Sequence, residues 1–172
     1  YTELFEFGTK DRQLLLANYA FDASVEQIFL PITNGGALVL ISNEDMLSPE
    51  KFEDSLDRLG ITHFQATPSL LKTITPRKYS KLKRVCSGGE VSPPDLATQW
   101  SAHSKFFNKY GPTEAAVNST YYSYSKKNPG IPSIPIGKPL ANVQLYVLDN
   151  NECLVPIGVP GELHIGGVGV AR

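Results

Sequence analysis

Short β-rich runs alternate with segments of helical period between residue 13 and about residue 110. Parallel strands cannot be joined by a tight turn and need a crossover connection, usually a helix. The alternation therefore predicts an α/β fold in which a parallel-sheet layer carries helices on both faces. Strands are expected at 13–17, 37–41, 62–66 and 83–87.

The first crossover has the clearest helical period. Its apolar residues stand at i, i+3, i+4 and i+7 and are Val25, Ile28, Phe29 and Ile32. Such a stripe predicts an amphipathic helix from about residue 23 whose apolar side faces the core. The Asn-Gly-Gly sequence at 34–36 is expected to end it, because glycine commonly follows the last helical residue.

Two later helices are predicted from their start signals. Ser48-Pro49 and Ser92-Pro93 each place a capping hydroxyl before a proline that fits the first helical position. Gly60 is expected to end the first of these helices. Ser69 is also interpreted as a helix cap, since no nucleophile-elbow motif surrounds any of the three serines.

The second part of the chain has a different character. Residues 126–135 are proline-rich, and no helical period follows them. Residues 143–149 alternate with period 2, and residues 161–167 have the composition of a second strand. We therefore divide the chain into an α/β subdomain at 1–125, a connector at 126–135 and the start of a β-barrel-like subdomain at 136–172.

Charge and apolar patterning argue against two classes of partner. The 172 residues include 16 Lys and Arg against 17 Asp and Glu, a formal net charge of −1, with no block of like charges. Such a surface offers little to a phosphate backbone or an anionic bilayer. The longest apolar run, 37–41, is far shorter than the roughly 20 residues of a membrane span. We expect neither nucleic-acid nor membrane binding.

Cysteine and histidine usage suggests a reducing compartment and no zinc. Cys86 and Cys153 show neither disulfide-framework nor metal-ligand spacing, so a cytoplasmic location is expected. The three histidines lie far apart in the sequence. They do not have the spacing of zinc ligands.

The segment 107–114 holds the densest group of chemically useful residues. It contains an aromatic ring, a glycine turn, a hydroxyl and a carboxylate, supplied by Tyr110, Gly111, Thr113 and Glu114. The segment follows a predicted strand, and open α/β sheets bind ligands at the carboxyl ends of their strands. These groups suit a nucleotide with Mg²⁺, which proteins hold through one or two carboxylates plus phosphate oxygens. Taken alone, the segment fits a capped strand-to-helix turn equally well.

Asn-x-Tyr-Gly-Pro-Thr-Glu at 108–114 resembles the core signature of adenylate-forming enzymes, in particular the amino-acid adenylation domains of nonribosomal peptide synthetases. Further stretches resemble other motifs of that family, in the same order. They are Phe-Asp-x-Ser at 21–24, the Gly-Glu turn at 87–90, the strand motif at 136–139 and Gly-Glu-Leu-x-Ile-x-Gly-x-Gly-x-Ala-Arg at 161–172. Ordered agreement over nearly the whole chain carries far more weight than any single glycine turn.

The resemblance implies that the chain binds ATP and Mg²⁺. It implies that Tyr110 stacks on adenine and that Asn108 hydrogen-bonds the exocyclic amine. The backbone that lines the purine is implied to be that of Gly88, Gly89 and Glu90. Thr113 is implied to contact the α-phosphate and Glu114 to hold Mg²⁺, which makes both of them candidate catalytic residues.

The resemblance also implies a reaction. The carboxylate of an amino acid attacks the α-phosphorus of ATP, giving aminoacyl-AMP and pyrophosphate, and the aminoacyl group then passes to a carrier-protein phosphopantetheine thiol. Peptidyl carrier and condensation domains of the same synthetase are the implied partners. The family's phosphate loop, ribose-binding aspartate and C-terminal lysine have no counterpart between Tyr1 and Arg172. We therefore expect an internal fragment that does not complete the reaction alone.

A pocket for the amino acid is implied as well. Asp22 is implied to pair with the α-ammonium group, with the carbonyls of Gly88 and Gly111 as further acceptors. The implied lining set is Asp22, Ala23, Glu26, Gln65, Val85, Ser87, Lys109, Val117 and Asn118.

Glu26 bears on the identity of the amino acid. Asp22 and Glu26 stand at i and i+4, so their Cβ atoms are expected about 5 to 6 Å apart on one helix face. One carboxylate would serve the α-ammonium group and the other a distal cation, which favours arginine or lysine. The alternative is that Glu26 pairs with Lys109, since a lone buried carboxylate costs several kcal/mol. Tyrosine is then the expected substrate, and the set resembles the arginine-or-tyrosine pockets of anabaenopeptin-like synthetases.

Two other functions remain open from the sequence. One is an acyl- or aryl-CoA ligase of the same superfamily, and the other is a non-catalytic α/β interaction module. Asp22 argues against the first, because a substrate without an amino group would leave this carboxylate unpaired. The grouping of Tyr110, Thr113 and Glu114 at one strand end argues against the second, because packing alone does not require it.

Overall fold

The computed structural model describes residues 2–125 and 133–171. Its larger sheet contains β1 Arg12–Leu14, β2 Ala37–Val39, β3 His63–Ala66, β4 Arg84–Gly88, β5 Lys105–Tyr110, β6 Thr120–Ser123 and β7 Lys138–Pro139. The spatial order is β2-β1-β3-β4-β5-β6-β7. The first five strands pair in parallel, whereas β6 and β7 are antiparallel. The predicted α/β fold with a parallel sheet is confirmed.

The helices follow some of the local start and stop signals. They are α1 Thr2–Phe5, α2 Ala23–Thr33, α3 Asn43–Leu47, α4 Pro49–Arg58, α5 Pro68–Leu71 and α6 Pro94–Trp100. The Ser48 hydroxyl caps α4 by accepting a hydrogen bond from the backbone N–H of Lys51. Asn34 is the C-cap of α2, as the Asn-Gly-Gly sequence predicts.

Two of the predicted caps are wrong. Ser69 lies inside α5, and the hydroxyl of Thr67 caps that helix by accepting from the backbone N–H of Leu70. Pro93 is the N-cap residue of α6. The Ser92 hydroxyl is buried and has no hydrogen-bond partner within the described residues. The helix therefore begins one residue later than the Ser-Pro signal predicts.

Helices cover both faces of the larger sheet. Successive residues of a strand point to opposite faces. Phe106 belongs to a large apolar cluster with Leu56 of α4 and Trp100 of α6. Phe107 belongs to a smaller cluster with Phe5 of α1 and Leu30 of α2. The cavity described below lies on the α2 face.

The orientation of α2 differs from the prediction. Its apolar stripe points outward, and Phe29, for example, is 58% exposed. The buried side instead carries Ser24, Gln27, Leu30 and Pro31. Gln27 explains the rotation, because its Oε1 accepts hydrogen bonds from the backbone N–H groups of Leu16 and Ala17, at 2.8 and 3.0 Å. These bonds fix the Gln27 side of the helix against the chain that leaves β1.

A second sheet follows the larger one in sequence. It consists of β8 Val143–Leu148 and β9 Glu162–Gly167, which are antiparallel. Contrary to the expectation that strands beyond residue 135 leave the larger sheet, β7 stays in it and pairs with β6. Most of the predicted connector at 126–135 lies outside the described residues. The division at 1–125 and 136–172 stays a prediction.

The length and hydropathy of the helices show whether any of them could span a membrane. Across 2–125 and 133–171, none of the helices is both long enough and apolar enough to cross a bilayer.

Candidate active site

A cavity of about 500 Å³ opens at the carboxyl ends of the parallel strands. Its walls come from the chain that follows β1, from the ends of β3, β4 and β5, and from the first turn of α2. The lining residues are Leu16, Ala17, Asn18, Phe21, Asp22, Ala23, Gln27, Gln65, Ala66, Thr67, Leu70, Gly88, Gly89, Lys109, Gly111, Val117 and Asn118. This is the position at which open α/β sheets bind ligands.

A buried ion pair lies at the cavity wall. Lys109 Nζ donates to both carboxylate oxygens of Glu26, at 2.5 and 2.7 Å. The two side chains are only 1% and 8% exposed. Each ion would be costly to bury alone, so their bidentate pairing is what allows both to remain charged.

Two amides complete the ion pair. Lys109 Nζ also donates to Gln65 Oε1 at 2.6 Å, and Asn118 Nδ2 donates to Glu26 Oε2 at 2.8 Å. We call Glu26, Gln65, Lys109 and Asn118 the pocket network. Gln65, Lys109 and Asn118 line the cavity, whereas Glu26 lies behind them and does not. The expectation that Glu26 lines the cavity is therefore wrong.

The backbone between β5 and β6 places Asn118 in this network. Ala116 and Val117 both have positive φ, at 56° and 73°. Positive φ is uncommon outside glycine and strained for a β-branched residue such as Val117. Gly111 allows the return, because a Cβ there would lie 2.4 Å from the Cα of Asn118. The segment then enters β6, where Ser119 N–H donates to the carbonyl of Tyr110 at 2.8 Å.

The structure also corrects two residues predicted to line the pocket from β4. Val85 and Ser87 pair in register with Phe106 and Asn108, and Val85 belongs to the large cluster on the opposite face. Cys86 and Gly88 therefore face the cavity side, one residue out of phase with the prediction. Gly88 lines the cavity, and burial raises the pKa of Cys86 to about 11, so its thiol stays protonated.

Asp22 lies at the cavity wall, as the family resemblance implies. It is the N-cap residue of α2, although its side chain makes no capping hydrogen bond. Ala23, the first residue of α2, lines the cavity beside it. The Asp22 carboxylate is therefore available to a ligand, whereas Glu26 one turn further along is occupied by Lys109.

The residues assigned to the nucleotide lie beside the cavity. Asn108 and Tyr110 share the face of β5 opposite to Lys109. Asn108 Nδ2 donates to the carbonyl of Pro135 at 2.9 Å. Its buried Oδ1 has no partner within the described residues, so it can accept from an exocyclic amine. Tyr110 is 40% exposed at the strand end, which leaves its ring open to stacking.

Thr113 and Glu114 lie on a 3₁₀ turn, Thr113–Ala115, that follows β5. Both are exposed. The carbonyl of Glu114 accepts from the backbone N–H of Ala171 at 2.7 Å, which joins this turn to the 161–172 motif. No group of three or more His, Cys, Asp or Glu suited to a metal occurs within the described residues. A single exposed carboxylate nevertheless fits Mg²⁺ that takes its remaining ligands from phosphates and water.

The Gly-Glu turn is held by α5. The hydroxyl and backbone N–H of Ser69 both donate to Glu90 Oε2, at 2.6 and 3.1 Å. The hydroxyl hydrogen bond is the main reason that the pKa of Glu90 lies below its ordinary value. Gly89 has a φ of 83°, which favours glycine at this turn. The side chain of Glu90 thus positions backbone and does not line the cavity.

Several lining residues are not predicted from the sequence. Gln27 is one of them, because the helical pattern places a different side of α2 inward. Thr67 and Leu70 are others, and both follow β3. Their position just beyond a predicted strand end was the available signal, since parallel strands present their carboxyl ends at one edge.

Comparison with known proteins identifies the family of this chain. Residues 1–172 match the AMP-binding enzyme family. A dimodular nonribosomal peptide synthase of Bacillus subtilis is 38% identical over 173 residues, a match that covers 99% of this chain and 7% of that protein.

Two solved structures of adenylating proteins are also similar to this chain. A four-domain nonribosomal peptide synthetase bound to AMP and glycine is 34% identical with a TM-score of 0.87, and the match covers 99% of this chain and 13% of that one. The adenylation domain AlmE of Vibrio cholerae, in complex with glycyl-adenosine-5'-phosphate, is 26% identical with a TM-score of 0.88, covering 99% of this chain and 34% of that one.

This chain therefore belongs to the AMP-binding enzyme family, and it is similar to the adenylation domains of nonribosomal peptide synthetases. The family resemblance inferred from the motifs is confirmed. The chain spans a small part of the length of each of these relatives. The likeness to anabaenopeptin-like synthetases stays a prediction.

Proposed function

We propose that this chain is the amino-acid pocket and part of the nucleotide site of an ATP-dependent amino-acid adenylating ligase. The carboxylate of the amino acid attacks the α-phosphorus of ATP, which gives aminoacyl-AMP and releases pyrophosphate. The observation that carries this proposal is the cavity at the strand ends, with Asp22 at its wall and Tyr110, Thr113 and Glu114 at the end of β5. Ligands named with the solved relatives, AMP with glycine and glycyl-adenosine-5'-phosphate, support it.

Each part of the site has a defined task in this reaction. Asp22 binds the α-ammonium group, which holds the substrate carboxylate toward the β5 end. Tyr110 and Asn108 position the adenine, and Thr113 contacts the α-phosphate. Glu114 holds Mg²⁺, which neutralises phosphate charge. Catalysis of this kind rests mainly on positioning and charge stabilisation.

The aminoacyl group then passes to the phosphopantetheine thiol of a peptidyl carrier domain. Carrier and condensation domains of the same synthetase are the proposed partners, and the proposed setting is the cytoplasm. The four-domain architecture of one solved relative supports the presence of further domains in the same synthetase. Antibiotic or other secondary-metabolite peptides are the corresponding products.

The proposed substrate side chain is basic or that of tyrosine. A basic side chain requires an available carboxylate at Glu26, and the ion pair with Lys109 removes it. The pair therefore favours the second alternative, in which the pocket accepts a hydroxyl. Asp22 disfavours an acyl- or aryl-CoA ligase, because acids without an amino group would leave its carboxylate unpaired.

ATP–pyrophosphate exchange on the full-length protein tests this function. Each amino acid is supplied in turn, and the matched control is the corresponding carboxylic acid without its amino group. We expect exchange with at least one amino acid and none with its deaminated counterpart. Exchange that depends on acyl or aryl acids instead would favour the acyl- or aryl-CoA ligase alternative, and absence of exchange with every substrate would support a non-catalytic module.

A further inference from the structure

We infer that the pocket network selects an uncharged side chain that both accepts and donates a hydrogen bond, with a carboxamide as the first candidate and a hydroxyl as the second. This inference rests on the proposed function, because it concerns the amino acid that the same cavity binds. It follows from the hydrogen-bonding capacity of the four side chains.

The ion pair fixes the direction of both amides. An ammonium group only donates, so Gln65 must turn its oxygen toward Lys109. A carboxylate only accepts, so Asn118 must turn its NH₂ group toward Glu26. Amide orientation is often ambiguous. Here the charges of Lys109 and Glu26 allow only one orientation of each amide.

The orientation of the two amides shows which of their hydrogen-bonding groups remain for a ligand. Gln65 retains its NH₂ group, which donates, and Asn118 retains its Oδ1, which accepts. Neither group has another hydrogen bond within residues 2–125 and 133–171. Both residues line the cavity. The wall thus offers one donor and one acceptor to a bound side chain.

The charge of the network excludes ionic side chains. Asp22 serves the α-ammonium group, and Lys109 and Glu26 neutralise each other, so a charged side chain of the substrate would have no counter-ion left in the cavity. Two protons of Lys109 point to Glu26 and one to Gln65, which leaves no ammonium proton for an acidic substrate. A basic side chain would meet a neutral network in which the carboxylate lies behind the lining residues.

A carboxamide complements this wall with one group. Its oxygen accepts from the NH₂ group of Gln65, and its NH₂ group donates to Asn118 Oδ1. A hydroxyl makes the same two contacts through one oxygen. An aliphatic side chain satisfies neither, so buried polar groups would stay unpaired in its complex.

The test is substrate competition in ATP–pyrophosphate exchange with the full-length protein. Glutamine, asparagine, tyrosine, serine and threonine form the uncharged polar arm, and glutamine against tyrosine separates carboxamide from hydroxyl. Arginine, lysine, glutamate and leucine form the opposing arm. We expect kcat/KM for the best polar substrate to exceed every member of the opposing arm at least tenfold. A best substrate from the opposing arm overturns the inference and leaves the proposed function intact, whereas no exchange with any amino acid contradicts the proposed function.

A matched pair of variants tests the contact itself. Gln65→Glu keeps the size of the side chain, keeps an acceptor for Lys109 and replaces the free donor by a carboxylate oxygen. We expect it to shift the kcat/KM ratio of the best polar substrate over lysine at least tenfold toward lysine. Gln99→Glu, the same change at an exposed position of α6, should leave that ratio unchanged. An unchanged ratio in folded Gln65→Glu, judged by its circular dichroism, overturns the inference.

Discussion

The cavity end of the site and its nucleotide end are built in opposite ways. At the cavity, Lys109 and Glu26 are almost fully buried and hydrogen-bonded within the pocket network. At the nucleotide end, Thr113 and Glu114 are exposed, and no ion pair of Glu114 occurs within the described residues. A buried network has a fixed geometry and suits discrimination between side chains. An exposed carboxylate stays hydrated and available to a cation that arrives with phosphates.

The largest expected effect is on stability and comes from removing one partner of the buried ion pair. Lys109→Met removes the ammonium group and leaves the carboxylate of Glu26 buried without its counter-ion. We expect the free energy of unfolding to fall by about 3 to 5 kcal/mol. Equilibrium urea unfolding of the full-length protein measures the change. Lys81→Met, at an exposed position, should change stability by no more than about 0.5 kcal/mol.

A double variant sharpens the same prediction. Lys109→Met combined with Glu26→Leu removes both charges, so much of the lost stability should return. If the double variant were as unstable as Lys109→Met alone, the loss would come from packing and not from an uncompensated charge.

Substitution of Glu114 at the nucleotide end should lower the exchange rate and leave the stability of the fold unchanged. Glu114→Gln keeps the size of the side chain and removes its charge, so we expect the exchange rate to fall about 100-fold. The Mg²⁺ concentration needed for half-maximal exchange should rise, while the urea midpoint stays unchanged because Glu114 is exposed. Glu3→Gln, in α1, is the matched control. Normal Mg²⁺ dependence of Glu114→Gln would show that this carboxylate does not hold the metal.

Asp22 lines the cavity, and its substitution should affect the binding of one substrate only. Asp22→Ala removes a charge-assisted hydrogen bond to the α-ammonium group. We expect the KM for the amino acid to rise about 10- to 100-fold, as loss of a hydrogen bond to a charged group implies. The KM for ATP should stay unchanged. A comparable rise for ATP would place Asp22 in the nucleotide site, and Asp95→Ala in α6 serves as the control.

The smallest effect concerns pH and a buried histidine at the amino end of β3. His63 lies against Arg84 and Asp11, and burial is the main cause that lowers its pKa to about 3. The folded state therefore keeps His63 neutral below pH 6.5, where the unfolded state binds a proton. Stability should fall as the pH is lowered below 6.5, with a slope from this group that approaches about 1.4 kcal/mol per pH unit near pH 5.

Histidine variants separate this contribution from the others. Urea unfolding at several pH values should show a flatter dependence for His63→Gln than for the unchanged protein. The same substitution at the exposed His103 should leave the slope as it is. An equal slope in all three proteins would mean that His63 is protonated alike in the folded and unfolded states.

Much of the fold could be predicted because its signals are local. The alternation of strands and helices, the Ser48 cap and the stop at residue 34 each depend on residues close together in the sequence. The family resemblance also implies that Asp22, Gly88, Gly111 and Asn118 lie at the cavity, and all four line it. Most of these positions follow strand ends, which one edge of a parallel sheet brings together.

The face to which each element turns was not predictable from local period alone. The pattern of α2 indicated an inward apolar stripe, yet the hydrogen bonds of Gln27 to Leu16 and Ala17 turn the opposite side inward. In β4, period 2 fits either phase, so pairing with β5 was needed to show that Gly88 and not Ser87 faces the cavity. A shift of one residue reverses every side chain of a strand.

The sequence by itself determined the order of elements, the family and the residue types available to the site. Only the tertiary structure decided how Glu26 is used, because its partner Lys109 is 83 positions away and Asn118 is 92 positions away. In sequence, Glu26 is one helical turn from Asp22 and is equally consistent with a second site for a ligand cation. Burial makes the choice, since a charge removed from water takes the nearest counter-ion that the fold supplies.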